Sequence, residues 1–167
     1  MNTQPYFNIW LINLLYEGYK MKKLKLFVIG LFLSLVITGC SDVSTVKNGT
    51  LNFDNSITVG EAFDRYKYFS DTDWTDFKTS NGRKIVQVTG EFNDDYLKKM
   101  GWTKQFKKAS LIVQFKINKD DTFEISAIGL EATNLKGKTK KVDLGQGLSN
   151  IQLSIMLKEL YNNKPLS

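Results

Sequence analysis

Hydrophobic and polar residues alternate most clearly in the second half of the chain, where they predict a β-hairpin. Apolar residues occupy every second position from residue 111 to residue 117 and again from residue 123 to residue 127. Alternation of this kind places the apolar side chains on one face of each strand. The intervening residues 118–121 are polar and are expected to form the turn between the two strands.

Another hairpin is predicted upstream, between residues 74–78 and residues 83–92. Asn81 and Gly82 lie between the two runs, and both residue types tolerate the positive φ angles of a tight hairpin turn. The second run alternates apolar with polar residues, so one face of this hairpin is also expected to be buried. Together the two hairpins predict four antiparallel strands.

Capping residues predict two short helices. Thr58 and Glu61 have the spacing of a capping box, in which each side chain satisfies a backbone donor of the other, and a short helix is expected to follow through residue 68. Asn93 is expected to start another helix that ends at Gly101, because glycine accepts the left-handed conformation that terminates many helices.

The last predicted element is a helix over residues 147–161. Its apolar side would be formed by Leu148, Ile151, Ile155 and Leu160. A sheet with one apolar face needs a cover, and this helix is expected to provide it. Residues 134–141 are rich in lysine and glycine and are expected to form a loop. The predicted fold is therefore a single α+β domain over residues 49–167, with a four-stranded antiparallel sheet built from two β-hairpins, a short N-terminal helix and a C-terminal covering helix.

A different pattern precedes this domain, over residues 21–39. Three lysines within residues 22–25 form a basic start, and residues 26–37 are apolar without a charge. A membrane-spanning helix needs about 20 apolar residues, so this run is short for a span and suits the hydrophobic part of a signal peptide. The alternative, an N-terminal membrane anchor, is disfavoured by the same length.

The apolar run ends in Ile37-Thr38-Gly39-Cys40, which resembles the lipobox of bacterial lipoproteins. The resemblance covers residues 21–40 and implies cleavage before Cys40 and attachment of diacylglycerol to its sulfur. Cys40 is the only cysteine of the chain, so an internal disulfide is excluded. The implied partner is a membrane, held through the lipid on Cys40. In cells that have two membranes, a serine directly after the lipidated cysteine, here Ser41, resembles the pattern of outer-membrane lipoproteins.

The segments that flank this lipobox are predicted as follows. Residues 1–20 place a second apolar stretch ahead of a complete signal peptide, so we expect translation to begin at Met21 and the preceding residues to be a misassigned extension. Residues 40–48 are expected to be a short, lipidated polar tether that keeps the domain close to the bilayer. Residues 46–90 are also similar to small uncharacterised bacterial lipoproteins, a resemblance that implies no activity and no functional residues.

Charge and composition exclude several classes of function. The whole chain carries a net charge of +6, but removal of residues 1–39, with four lysines and one glutamate, leaves +3. A domain this weakly basic gives no electrostatic case for nucleic-acid binding. The chain contains no histidine, so Ser-His-Asp and Cys-His catalytic groups and histidine-ligated zinc are excluded. No cofactor is predicted.

Two lysine clusters could face anionic lipid headgroups or an acidic cell-wall polymer. One comprises Lys98, Lys99, Lys104, Lys107 and Lys108, and the other comprises Lys136, Lys138, Lys140 and Lys141. The alternative is that both clusters are solvated faces that keep the protein soluble.

Carboxylates are the candidate residues for metal binding and catalysis. Asp71, Asp73 and Asp76 could coordinate a hard cation, but the sequence lacks the glycine and the distant glutamate of a calcium loop, so a solvated, turn-forming loop before a strand is favoured. Asp120 and Asp121 are expected in a hairpin turn, where aspartate suits the backbone geometry.

Glycoside hydrolysis would require two carboxylates about 5–10 Å apart across a cleft. The candidates are Glu61, Asp64 and Glu91, although a helix cap, a helix face and a strand's outer face also account for them. The aromatic residues Tyr66, Tyr68, Trp74 and Trp102 could stack on a sugar or a peptide, but aromatic side chains in so small a domain more often form its core.

The function expected from the sequence is that of a non-enzymatic, membrane-anchored envelope lipoprotein, with no catalytic residues. It would bind another envelope protein or a cell-wall component, or assist an assembly, through the outer face of the sheet or the loops. The alternative is a small carboxylate-dependent hydrolase of cell-wall glycan, which requires a concave pocket with two convergent acids.

Overall fold

A computed structural model describes residues 40–166, with side chains from Asp42 onward. The predicted extension of residues 1–20 and the predicted signal peptide of residues 21–39 lie outside the described residues. Within the described range, no helix is both long enough and apolar enough to cross a membrane.

Four α-helices and five β-strands follow one another in the described part of the chain. The helices are α1 (Cys40–Asn48), α2 (Val59–Asp64), α3 (Asp94–Lys99) and α4 (Asn150–Tyr161). The strands are β1 (Phe69–Lys78), β2 (Lys84–Phe92), β3 (Phe106–Ile117), β4 (Phe123–Asn134) and β5 (Thr139–Asp143). Two short 3-10 turns occupy Trp102–Lys104 and Leu144–Gln146.

The strands form one antiparallel sheet in the order β1-β2-β3-β4-β5, so each strand pairs with its neighbour in the chain. This arrangement confirms the α+β class and both predicted hairpins. The turn residue Gly82 has φ of +79°, as the Asn-Gly pair predicts. In the other turn, Asp120 accepts hydrogen bonds from the backbone and hydroxyl of Thr122.

The prediction of four strands is wrong, because only residues 135–138 of the predicted loop form a turn and a fifth strand begins at Thr139. Asn134 accepts hydrogen bonds from the backbone N–H groups of Lys136 and Lys138, and Gly137 has φ of +78°. These contacts close a tight turn, from which β5 returns along β4. The lysine-rich composition hid a strand whose only strongly apolar residue is Val142.

One face of the sheet, the inner face, carries the core. Val88 of β2, Val113 of β3 and Ile128 of β4 lie on this face in register and are buried. The buried side chains of all four helices belong to the same cluster of hydrophobic residues. All four helices therefore pack on the inner side of the sheet, and the opposite face is left without a helical layer among residues 40–166.

Residues 40–48 form helix α1, where a polar tether was predicted. Val46 is 0% exposed and belongs to the core. Asp42 forms an ion pair with Lys84 of β2 at 3.0 Å, and Lys47 forms one with Asp64 of α2 at 2.7 Å. The sequence signal is weak because only Val43 and Val46 mark the apolar side of the helix, and contacts with the domain supply the remaining stabilisation. The segment that was predicted to be a tether is therefore packed on the domain.

The predicted helix caps are present in α2 and α3. Thr58 and Glu61 form the capping box, with Glu61 N–H donating to Thr58 Oγ1 at 3.1 Å. Asn93 caps α3, and Gly101 follows that helix with φ of +72°. Helix α2 ends at Asp64, earlier than predicted, because Tyr66 turns into the core.

Helix α4 begins later than predicted and buries a different side. Ser149 caps it, and the buried residues are Met156, Leu157, Leu160 and Tyr161. Ile151 is 73% exposed and Ile155 is 46% exposed, so only part of the predicted apolar face is used. The helix packs beside α2 and the second 3-10 turn and only partly covers the sheet, which roughly matches the predicted cover.

Residues 164–166 contact the aromatic end of the core. The Tyr66 hydroxyl donates to the carbonyl of Lys164 at 2.8 Å, and the Tyr96 hydroxyl donates to the carbonyl of Leu166 at 3.3 Å. Burial is the main reason that the pKa of each tyrosine lies well above its ordinary value. Both phenols therefore stay neutral and act as hydrogen-bond donors.

Replacing Tyr161 by phenylalanine is expected to raise the free energy of unfolding by about 1 kcal/mol. The Tyr161 hydroxyl is buried without a hydrogen-bond partner among the described residues, and an unmatched buried hydroxyl costs stability. Phenylalanine would keep the edge-to-face contact with Phe53. The matched control is Tyr66→Phe, which should lose about 1 kcal/mol with its bond to Lys164. Chemical denaturation checks the pair, and equal losses in both variants would contradict the assignment.

Candidate functional site

The uncovered side of the sheet, called the outer face below, has an uncharged centre. Ile85, Gln87, Thr89, Ile112, Gln114 and Ala127 form it, from three adjacent strands. Gln114 donates to Gln87 at 2.9 Å, and Gln87 donates to Thr89 at 3.2 Å. These bonds link the two glutamine side chains to each other and to Thr89, and Gln87 is only 9% exposed. The centre is therefore a surface of amide, hydroxyl and aliphatic groups.

Charged residues surround this centre, most of them in ion pairs; Asp71 and Asp73 at the β1 edge have no ion-pair partner among the described residues. Glu91 pairs with Lys108 at 2.8 Å, and Glu131 pairs with Lys141 at 2.8 Å, at one end of the outer face. Lys116 pairs with Glu124 at the other end. An uncharged centre inside a charged, solvated rim is the arrangement found in protein–protein interfaces.

A second feature, called the hairpin-end groove below, lies where the β1–β2 and β3–β4 turns meet. Its volume is about 600 Å³. The lining cations are Lys78, Arg83, Lys84, Lys116 and Lys119. Lys78 and Lys84 are directly opposite each other in the strand register, although like charges in that position destabilise a sheet.

Carboxylates offset only part of the positive charge of this groove. Asp121 is the acidic residue in the lining, while Lys84 and Lys116 use Asp42 and Glu124 as ion-pair partners. Asp120 lies in the same turn, where Thr122 donates two hydrogen bonds to it. The remaining cations, Lys78, Arg83 and Lys119, have no carboxylate within salt-bridge distance in residues 42–166.

The two lysine clusters identified from the sequence lie at the opposite end of the sheet. Lys107 and Lys108 are at the start of β3, whereas Lys116 is near its end. Lys136 and Lys138 are in the β4–β5 turn, at the same end as the start of β3. Strands rise about 3.3 Å per residue, so Lys107 lies about 30 Å along β3 from Lys116 in the groove, and Lys141, which is level with Ser110, lies about 20 Å from it.

The acidic residues predicted in a loop lie instead on the edge strand β1. Asp71 and Asp73 point to one face of the sheet and Asp76 to the other, because successive side chains alternate along a strand. The three carboxylates therefore cannot surround one cation. No group of three potential ligand residues within the described range could hold a metal ion.

The candidate carboxylates for glycoside hydrolysis are separated by the sheet. Glu61 and Asp64 belong to α2 on the inner side, whereas Glu91 lies on the outer face paired with Lys108. The Thr58 backbone N–H donates to Glu61, and this bond is the main reason that the pKa of Glu61 lies below its usual value. A glycosidase acid needs a raised pKa, so Glu61 has the opposite environment.

Asp64 lines a cleft of about 360 Å³ at the β1 edge together with Asp71. Lys47 forms an ion pair with Asp64 at 2.7 Å, and the indole N–H of Trp74 donates to it at 3.0 Å. Both contacts tie the Asp64 side chain to α1 and β1, which is a structural role within the fold.

The candidate aromatic residues mainly build the core. Tyr66 and Trp102 are buried, and Tyr68 and Trp74 are partly buried against the core. Trp74 contacts Phe63 edge to face at 5.9 Å, with the Lys47 ammonium 5.1 Å from its ring centre. Their side chains are therefore not displayed as a stacking platform.

The sequence interpretation missed the hairpin-end groove, since its cations come from two turns that are distant in the chain. Basic residues on both sides of each predicted turn were the available signal. Comparisons with protein-family models, with curated proteins and with solved structures find no match for this chain.

Proposed function

We propose that this chain is a lipid-anchored lipoprotein of the cell envelope that binds a partner protein through the outer face of its sheet. Its role would be structural or in assembly, without catalysis. The observation that carries the binding role is the outer face itself, with its uncharged centre and its charged rim.

The chemistry of the outer face favours a protein as the occupant. The glutamine and threonine side chains offer both donors and acceptors, and Ile112 adds an aliphatic contact between them. A lipid surface would require cations at the centre, where the described residues have none. A protein surface can match amide, hydroxyl and aliphatic groups at the same time.

The lipid anchor rests on the lipobox at Cys40, and the position of α1 is consistent with it. Helix α1 includes Cys40 and packs on the domain through Val46. Only a short connection would therefore separate the lipid from the folded domain. The outer face would then be held near the membrane, where its partner must also lie. A hydrolase receives less support, since its candidate carboxylates lie on different sides of the sheet.

Site-specific photocrosslinking in the native envelope tests this proposal. A photoreactive residue is placed at Ile112 on the outer face, and the matched control is placed at the exposed Ser154 of α4. We expect one adduct of discrete mass from position 112 and none from position 154. Equal adducts at both positions, or none at either, would count against binding through the outer face. Release of glycan fragments from purified wall material, abolished by Glu91→Gln, would favour the hydrolase instead.

A further inference from the structure

The hairpin-end groove lies at the same end of the domain as Cys40. Asp42, in the first turn of α1, forms an ion pair with Lys84 at 3.0 Å and is one of the more buried acids of the chain. Cys40 precedes Asp42 by two residues, which corresponds to about 3 Å along a helix. The backbone at Cys40 therefore begins beside the cations of the groove.

We infer that the hairpin-end groove docks onto anionic phospholipid headgroups of the membrane that holds the lipid on Cys40. This inference rests on the lipid anchor of the proposed function. It adds a second, electrostatic contact that fixes how the domain stands on the bilayer.

Three observations support this occupant. The cations Lys78, Arg83 and Lys119 have no ion-pair partner in the described part of the chain, so their charge is available to headgroup phosphates. The groove is open between two turns, a shape that several headgroups can enter. Lys78 faces Lys84 in the strand register; Asp42 neutralises Lys84, and an anionic surface would neutralise Lys78 in the same way.

The position of the anchor favours a membrane surface, rather than a soluble anion, as the binding partner of the groove. An acyl chain and a basic patch act together in membrane binding, since the chain keeps the patch within the short range of the surface potential. The lysine clusters at the far end of the sheet are about 20–30 Å away, beyond the Debye length of about 8 Å at physiological salt. If the groove docks on the bilayer, the strands β1 to β5 would point away from the membrane surface. The outer face would then remain accessible from the side.

Fluorescence quenching on vesicles tests the inference. The full-length lipoprotein is purified with its lipid and reconstituted on phosphatidylcholine vesicles, with or without phosphatidylglycerol, that carry a headgroup-attached quencher. A fluorophore is attached at Asn81→Cys in the groove or at Leu135→Cys in the distant β4–β5 turn. We expect quenching at position 81 to be at least about threefold that at position 135 on anionic vesicles, and to fall to the control level at about 1 M salt.

Charge variants distinguish membrane binding through the groove from membrane binding through the overall positive charge of the protein. The combined replacement of Lys78, Arg83 and Lys119 by glutamine should abolish the contrast between positions 81 and 135. The matched control replaces Lys98, Lys104 and Lys136 by glutamine, which removes the same charge at the far end and should preserve the contrast. Equal effects of the two triple variants would overturn the inference.

The remaining outcomes are also decisive. Failure of the lipoprotein to float with any vesicles would refute the lipid anchor itself, whereas flotation without a contrast between positions 81 and 135 would refute only the docking. A groove that binds soluble poly(glycerol phosphate) yet gives no contrast on anionic vesicles would belong to a wall polymer, which also overturns docking on the membrane.

Discussion

Replacing Cys40 by serine is expected to abolish acylation completely and to leave the signal peptide uncleaved. Serine has no thiol to receive diacylglycerol, and the lipobox resemblance implies that cleavage follows lipid attachment. Each buried methylene of an acyl chain contributes about 0.8 kcal/mol to membrane binding, so loss of the lipid removes the anchor. Metabolic labelling with an alkyne fatty acid, followed by intact-mass measurement, checks the result.

The control for this variant is Ser44→Ala, an exposed change in the same helix that should keep the label and the mature mass. An unlabelled wild-type protein would contradict the anchor directly. The mass of the uncleaved Cys40→Ser precursor also tests the predicted start, because chains that begin at Met1 and at Met21 differ by twenty residues.

Replacing Val46 by aspartate is expected to lower the free energy of unfolding by about 4 kcal/mol or more. Val46 is 0% exposed within the core, and an unpaired buried carboxylate is among the most damaging single changes. The effect distinguishes a packed helix from a tether, since aspartate in a solvated tether would change almost nothing. Chemical denaturation of the purified mature protein provides the measurement.

Ser44→Asp is the matched control, because Ser44 lies on the exposed side of α1 and should change stability by about 0.5 kcal/mol or less. Val46→Ala provides a milder variant if Val46→Asp fails to fold, and its loss should fall between the other two. Equal stability of the two aspartate variants would show that residues 40–48 do not pack on the domain.

Local sequence predicted the parts of the fold that a few neighbouring residues determine. The Asn81-Gly82 turn and the capping box of Thr58 and Glu61 depend on backbone preferences and on hydrogen bonds within four residues. Both hairpins follow from alternation, because their strands bury one face against the core. The predictions succeeded where the stabilising contacts lie within the segment itself.

Segments stabilised by distant contacts could not be predicted in the same way. Helix α1 shows only two apolar residues, and its ion pairs reach Asp64 and Lys84, which are remote in the chain. In α4, several faces of the helix were apolar enough to be buried, and the positions of α2 and the second 3-10 turn decide that Met156 is covered while Ile151 is exposed. The weak local signal of β5 has the same cause.

The candidate site required the strand register. Lys78 and Lys84 were visible on either side of a predicted turn, but their proximity to Lys116 depends on the pairing of β2 with β3. The lysine clusters that stand out in the linear sequence lie at the other end of the sheet. The lysines that are clustered in the sequence therefore did not indicate where the cations of the groove come together in the structure.

The neighbour-to-neighbour strand order has a consequence for the sequence of folding events. Each strand can pair with the one just before it across a short connection, which carries a small loop-closure entropy, so the sheet is expected to form early. The bond from Tyr66 to Lys164 joins residues 98 positions apart and must form late. A growing chain would thus hold an ordered sheet with an incomplete core until residues 164–166 are made, and the aromatic side chains of that core would stay exposed during that interval.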